Sequence, residues 1–354
     1  MRRLFIIVVI MLLICTNAYA EKITIPGEDF YNKTAQDITS GKMELNPVNI
    51  INNLIKGVFS EISNAKALLK AILLISAAAG LLRILSDSFD GSEAGNAATF
   101  ACFVLMTGAA VKIFAEIIGY GTEVIHTLCG FITKFEPIFV GLLASAGAVT
   151  QAAAFQPVLT ASVYILSTLV DKCILPMTYF SAALSIVNNI GNRVEIGTLN
   201  KLLQSTSKWL LTGVLTLFST ILALYGFGTS AMNTVTLKSI KFAVGSFVPV
   251  VGGILSDTID TVLSGTNLLK NAVGTAGMIT VISIAAIPII KIWIMMMLLK
   301  VTAAVVEPFS DKRITNILIS ISESAGIVFS MVITSVMLFV ISIGIILTAT
   351  GVSL

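Results

Sequence analysis

The chain has 354 residues, 56% of them hydrophobic and 12% charged, with a net charge of +3 and a mean hydropathy of +0.97. Soluble domains carry about 25% charged residues, so this composition excludes a water-soluble globular fold. The apolar content comes in stretches of about 18 to 25 residues, the length a helix needs to cross a hydrocarbon core about 30 Å thick.

In chain order, Arg2 and Arg3 precede an apolar run from Leu4 to Ile14, followed by Thr16-Asn17 and Ala18-Tyr19-Ala20. This layout predicts a secretory signal peptide over 1–20, cleaved after Ala20, with an uncleaved anchor as the alternative. Cys15 does not make it a lipoprotein, because Ile14 stands where lipidation needs a small residue. A polar extracytoplasmic segment over 21–65 follows. Within and just beyond it, Asn49 to Lys70 places Ile51, Leu54, Ile55, Val58 and Ile62 at helical spacing, predicting an amphipathic helix on the membrane surface or on a partner.

Residues 66–354 read as a multi-pass membrane domain, all-α, a polytopic bundle of six to eight membrane helices. The candidate spans are Ala67 to Leu82, Ala97 to Ile118, Ile138 to Phe155, Val158 to Leu184, Trp209 to Phe227, Phe242 to Leu255, Gly277 to Leu299 and Ala325 to Ala349. The third and sixth are weak and read as re-entrant or broken, the third for its Gly, Ala, Ser and Gln151, the sixth for its shortness and for Gly245, Pro249, Gly252 and Gly253. Non-helical backbone at membrane depth needs protein or a water-filled cavity around it. Ile196, Leu199, Leu202, Leu203 and Thr206 line one side of Glu195 to Trp209, predicting an interfacial helix anchored by Trp209.

Charge alone leaves the topology open. With the mature N-terminus outside and eight crossings, Lys238 with Lys241 and Lys300 with Lys312 and Arg313 fall inside, and Asp257 with Asp260 outside, as the positive-inside rule asks. Arg193, Lys201 and Lys208 then fall outside. Making Ile138 to Phe155 re-entrant rescues that loop and inverts the later ones.

Small residues at Ala77 to Gly80, Gly141 to Gly147, Gly252-Gly253 and Gly274 with Gly277 mark places where helices approach closely, for packing within the chain or for self-association. The charges inside the spans include Lys70, Arg83, Lys112, Glu116, Asp171, Lys172 and Lys291. Each costs at least about 2.5 kcal/mol at mid-helix, so such groups face protein or water. Lys112 and Glu116, one turn apart, can pair. Asp171 and Lys172 stand beside Pro176, where a helix kinks and frees carbonyls; they mark a polar pathway, a subunit contact, or charges snorkelling from a helix end. Cys102, Cys129 and Cys173 are far apart and read as buried small hydrophobes.

Apparatus for catalysis is missing from the pattern. The chain has one histidine, His126, and no HExxH, phosphate loop, GxGxxG or GxSxG, so a non-enzyme without metal or cofactor is expected. His126 reads as an interfacial residue rather than a proton relay. A secondary transporter or permease for small solutes is the alternative function; it predicts matched broken helices in two halves, of which Gly141 to Gly147 and Gly253 to Asp257 are a loose echo.

The run Phe247-Val248-Pro249-Val250-Val251-Gly252-Gly253-Ile254-Leu255-Ser256-Asp257, continuing through Asp260 to Asn271-Ala272-Val273-Gly274, resembles the signature of the stage III sporulation protein AE family. The resemblance covers most of the chain and includes Glu307-Pro308-Phe309-Ser310-Asp311 before the last helix. It implies an endospore-forming Firmicute and a polytopic protein of the mother-cell membrane around the engulfed forespore. It further implies a multiprotein complex with other stage III sporulation A-operon membrane proteins that, with the forespore partner stage II sporulation protein Q, links the two cells and sustains forespore development. Whether such a subunit conducts, exports or scaffolds does not follow from the resemblance. The residues themselves predict a kinked element over Phe247 to Gly274, in which Pro249 and Gly252-Gly253 permit a break while Asp257 and Asp260 line a polar cavity.

Overall fold

The structure, a computed structural model, describes residues 93–145, 148–190, 197–247, 252–308 and 312–349, with side chains at 100, 103–145, 148–149, 152–189, 197–224, 271–308 and 312–347. The expected signal peptide, the polar segment, the amphipathic helix, the span Ala67 to Leu82, and Pro249 lie outside the described residues, as do the side chains of Gly252, Gly253, Asp257 and Asp260. Described are α1 (Glu93–Ser145), α2 (Val149–Leu169), a π-helical turn (Val170–Ile174), α3 (Leu175–Ile190), α4 (Gly197–Phe247), α5 (Gly252–Val306) and α6 (Lys312–Ala349). There is no strand among the described residues. Five segments, Phe103–Ser145, Ala152–Asn189, Gly197–Leu224, Asn271–Val306 and Lys312–Leu347, are long and apolar enough to cross a membrane. The chain is an all-α polytopic bundle, as its composition requires.

The helices are longer than the apolar windows that announce them. The stretch between Ile118 and Ile138, which falls between two candidate spans, is helical throughout α1. Helix propagation needs backbone hydrogen bonds rather than apolar side chains. At 53 residues, α1 extends about 80 Å. Ile138 to Phe155 does not cross as a unit: α1 ends at Ser145 and α2 begins at Val149, and the Ala148 N–H closes back on the Leu143 carbonyl at 2.9 Å. The weak third span is therefore the tip of a helical hairpin. Of the weak sixth span, Phe242 to Phe247 ends α4 and Gly252 to Leu255 begins α5.

Contacts across the bundle set each helix's direction. Thr160 meets Glu136 and Asp171 meets His126, both pairs placed symmetrically about the tip, so α1 runs antiparallel to α2 and α3. Ser181 and Ser185 meet Asn200 and Gln204, making α4 antiparallel to α3 and parallel to α1. Gly277 faces Phe135 and Lys291 covers Tyr120, so α5 descends beside α1. Ser322 bonds the Met296 carbonyl while Gly274 faces Leu347 and Gly344 faces Met278; α6 therefore rises again.

The core is greasy and layered. Phe131, Phe135 and Phe139 stack along α1 at 5.5 and 5.2 Å between centroids. The sixth helix packs against α1, α3, α4 and α5; half of its most apolar window is buried, against 22% for α4. Without a hydrophobic drive in lipid, such packing relies on close van der Waals contact and polar links.

Candidate functional site

The Glu195 to Trp209 stretch carries the main departure from the sequence-based expectation. It is no separate interfacial helix. From Gly197 it is the first part of the continuous α4, and its polar side packs inward: Asn200, Gln204 and Ser207 are buried, while Leu199 and Leu202 are exposed. Buried amides and hydroxyls need hydrogen-bond partners, and here they find them in one another.

Those polar groups meet the neighbouring helices. The Ser181 hydroxyl of α3 donates to Asn200 Oδ1 at 2.5 Å, and Asn200 Nδ2 donates to Ser185 Oγ at 2.8 Å. Ser185 in turn donates to the Ser181 carbonyl at 2.8 Å. Gln204 Nε2 reaches Ser181 Oγ at 3.2 Å and, from α6, Ser324 Oγ at 3.5 Å. The Ser181 and Ser324 hydroxyl oxygens lie 3.0 Å apart. A hydroxyl has one proton, and that of Ser181 goes to Asn200. Ser324 therefore supplies the proton between the two serines whenever it does not donate to the Ser320 carbonyl 3.0 Å away. The result is a buried seam of two amides and three hydroxyls that ties α3, α4 and α6 together; a separate bond from Ser322 to the Met296 carbonyl at 3.1 Å links α6 to α5.

A second polar feature lies on the outer face. His126 Nε2 stands 3.4 Å from Asp171 Oδ1, their side chains 50% and 40% exposed. Asp171 and Lys172 sit in the π turn, where the Leu175 N–H bonds the Val170 carbonyl five residues back. Pro176 accounts for the turn: its ring presses on the carbonyl four residues earlier, and widening the helix relieves the clash. The expected kink thus takes the form of a π turn. Lys172 is exposed and Pro176 half-buried. Cys129 is buried as expected, but Cys173, within the turn, is exposed.

The remaining sequence candidates do not converge on these features. Lys112 is exposed and Glu116 half-buried on α1, and no ion pair joins the two. Gly252, Gly253, Asp257 and Asp260 have their backbone in the regular helix α5. The kinked element expected over Phe247 to Gly274 is thus continuous helix from Gly252 onward. Gly274 is buried where α5 meets α6, and a Cβ there would strike the Leu347 side chain, which makes it a packing position. Glu136, not singled out by sequence, is buried and accepts a hydrogen bond from Thr160 Oγ1 at 2.8 Å. Lys291 is half-buried with its ammonium 5.1 Å from the Tyr120 ring centroid, a cation–π contact.

Long apolar helices in antiparallel register and an interior sewn by serine and amide groups define a polytopic membrane protein whose polar chemistry joins helices. The family model for stage III sporulation protein AE matches residues 30–350, and the chain belongs to that family of sporulation proteins. It is similar to stage III sporulation protein AE of Bacillus subtilis (strain 168), with 29% identity over 313 residues, 88% of this chain and 78% of the relative. No solved structure matches it.

Proposed function

We propose that this protein is a non-catalytic subunit of the channel or transenvelope complex between mother cell and forespore, required for endospore development after engulfment. It sits in the mother-cell membrane around the forespore and forms pore wall or scaffold. Its partners are other stage III sporulation A-operon membrane proteins and, through them, stage II sporulation protein Q. One observation carries the reading: the interior polar groups are spent on one another across three helices, as the seam of Ser181, Ser185, Asn200, Gln204 and Ser324 does, which suits a rigid wall element. A secondary transporter would use matched broken helices, and among the described residues the π turn between α2 and α3 is a lone interruption of that kind.

Deletion of the gene followed by starvation and microscopy tests this. Forespores that engulf and then collapse or arrest support it, and unimpaired sporulation refutes it. Gly252→Leu and Gly253→Leu are each expected to abolish spore formation with the protein still inserted. Normal spore yield from both would remove that region from the assembly.

A further inference from the structure

The helices are too long for a bilayer. Phe103–Ser145 alone has 43 residues, about 64 Å of helix against a hydrocarbon core of about 30 Å, so a good part of the bundle stands outside the lipid tails. Which part is read from where the tryptophans and the charged side chains fall along the axis; Tyr164 of α2, also exposed, lies toward the tip.

The chain has two tryptophans, Trp209 on α4 and Trp293 on α5, 73% and 48% exposed. They stand at one level. Trp293 is two residues beyond Lys291, which covers Tyr120 of α1. Trp209 is two residues beyond Ser207, whose hydroxyl meets Met177 Sδ of α3 at 3.9 Å. Tyr179, next along α3 and 44% exposed, makes an edge contact with Phe114. On the scale of α1 these groups fall between residues 114 and 121, a ring about 10 Å deep. Amphipathic rings collect at membrane–water boundaries in this way. From Tyr120 to the tip at Ser145 is about 38 Å, close to the 40 to 45 Å of a bilayer with its headgroups.

Charge divides at the same level. On the side away from the tip, Lys112, Lys201, Lys208, Lys300, Lys312 and Arg313 are exposed, joined by Glu307 and Glu323. Exposed apolar groups there are interleaved with those charges, Leu202 beside Lys201 and Val301 beside Lys300. On the tip side, among the described side chains, the exposed charges are the His126–Asp171 pair with Lys172, a few residues past the ring, and Lys134. Further along α4 and α5, beyond the described side chains, Lys238 and Lys241 are balanced in sequence by Asp257 and Asp260.

We propose that the bilayer surrounds the hairpin-tip half of the bundle, with its boundary at the ring of Trp209, Trp293 and Tyr179, and that the lysine- and arginine-rich opposite end projects into the cytoplasm. Positive flanks face the cytoplasm, and the hairpin at Ser145–Val149 removes the conflict left by eight crossings, because Lys201 and Lys208 now share a side with Lys300, Lys312 and Arg313. The polar seam of Ser181 and Ser324 then lies at the cytoplasmic edge of the membrane, and the His126–Asp171 pair just inside the headgroups. The proposal is independent of the role in sporulation.

Two measurements test it. The full-length protein is reconstituted in vesicles of phosphatidylcholine and phosphatidylglycerol brominated near either the carboxyl or the methyl end of the acyl chain. Tryptophan emission of the wild type, and of W209F and W293F separately, is expected to fall more with the shallow bromine. Stronger quenching by the deep bromine overturns the boundary, and so does quenching by neither, which would mean that protein covers the ring. For orientation, Lys201→Cys, Lys312→Cys and Val149→Cys are made with Cys173→Ser and exposed to a membrane-impermeant maleimide in right-side-out vesicles from cells producing the protein. Labelling of Val149→Cys before detergent, with Lys201→Cys and Lys312→Cys labelled only after it, is expected; the reverse pattern overturns the orientation.

Discussion

Gly277→Ala is expected to cost stability out of proportion to one methyl group. A Cβ at position 277 would lie 2.6, 2.8 and 3.2 Å from the Cζ, Cε2 and Cε1 atoms of Phe135, where ordinary carbon contacts begin near 3.5 Å. Relief requires the ring to retreat by about 1 Å, given that optimal contact distance. It has little freedom to do so, being stacked between Phe131 at 5.5 Å and Phe139 at 5.2 Å and itself only 2% exposed. Overpacking of this kind costs about 1 to 3 kcal/mol, which lowers the folded-to-unfolded ratio about 5- to 150-fold. The assay is unfolding in mixed micelles of increasing sodium dodecyl sulfate, followed by tryptophan emission, for wild type, G277A, F135L and the double variant. Because F135L removes the ring edge that the new methyl strikes, the two changes should couple favourably, by about 0.5 to 3 kcal/mol for residues in contact. Unaltered stability of G277A, or strict additivity in the cycle, would refute this account of how α1 meets α5.

Gly274→Ala should be milder than Gly277→Ala in the same assay, because it meets the movable end of Leu347 rather than a clamped ring; equal losses would contradict this. Gln204→Leu leaves Ser181 and Ser324 without their amide donor and should cost about 0.6 to 2 kcal/mol, the range for polar contacts between membrane helices, with insertion unaffected. Thr160→Val removes the hydroxyl that bonds buried Glu136, and a loss of about 0.6 to 2 kcal/mol is expected, the range for polar contacts between membrane helices. A Thr160→Val protein as stable as wild type would show that Glu136 has another outlet.

Much of the fold was legible because the bilayer imposes one length and one secondary structure on whatever crosses it. Composition sufficed for the class, and the small residues at 274 and 277 marked contacts that the helices use. The polar seam escaped because periodicity tells which side of Gly197 to Trp209 is apolar and not what its polar side meets: Asn200 and Gln204 are buried against hydroxyls of α3 and α6 that are distant in sequence. Likewise Asp171 and Pro176 signalled a deformed helix, yet His126 stayed unpaired in the reading. Its partner follows from where the hairpin turns, and the apolar run from Ile138 to Phe155 hid that turn. The long helices escaped because hydropathy sees the oily windows and not the polar turns that continue them.

The π turn at Val170–Ile174 holds one residue more than a regular helix of the same rise. Each residue of an α-helix advances about 100° around the axis, so everything after the turn is out of phase with everything before it by that angle. Were the same residues wound as regular α-helix, the azimuth of α3 would swing, and the hydroxyls of Ser181 and Ser185 would be carried away from Asn200. Hydroxyl-to-amide pairing in the interior thus depends on residue count in a stretch whose own side chains touch none of the participants. A related chain lacking that extra residue would have to carry its serines one position earlier.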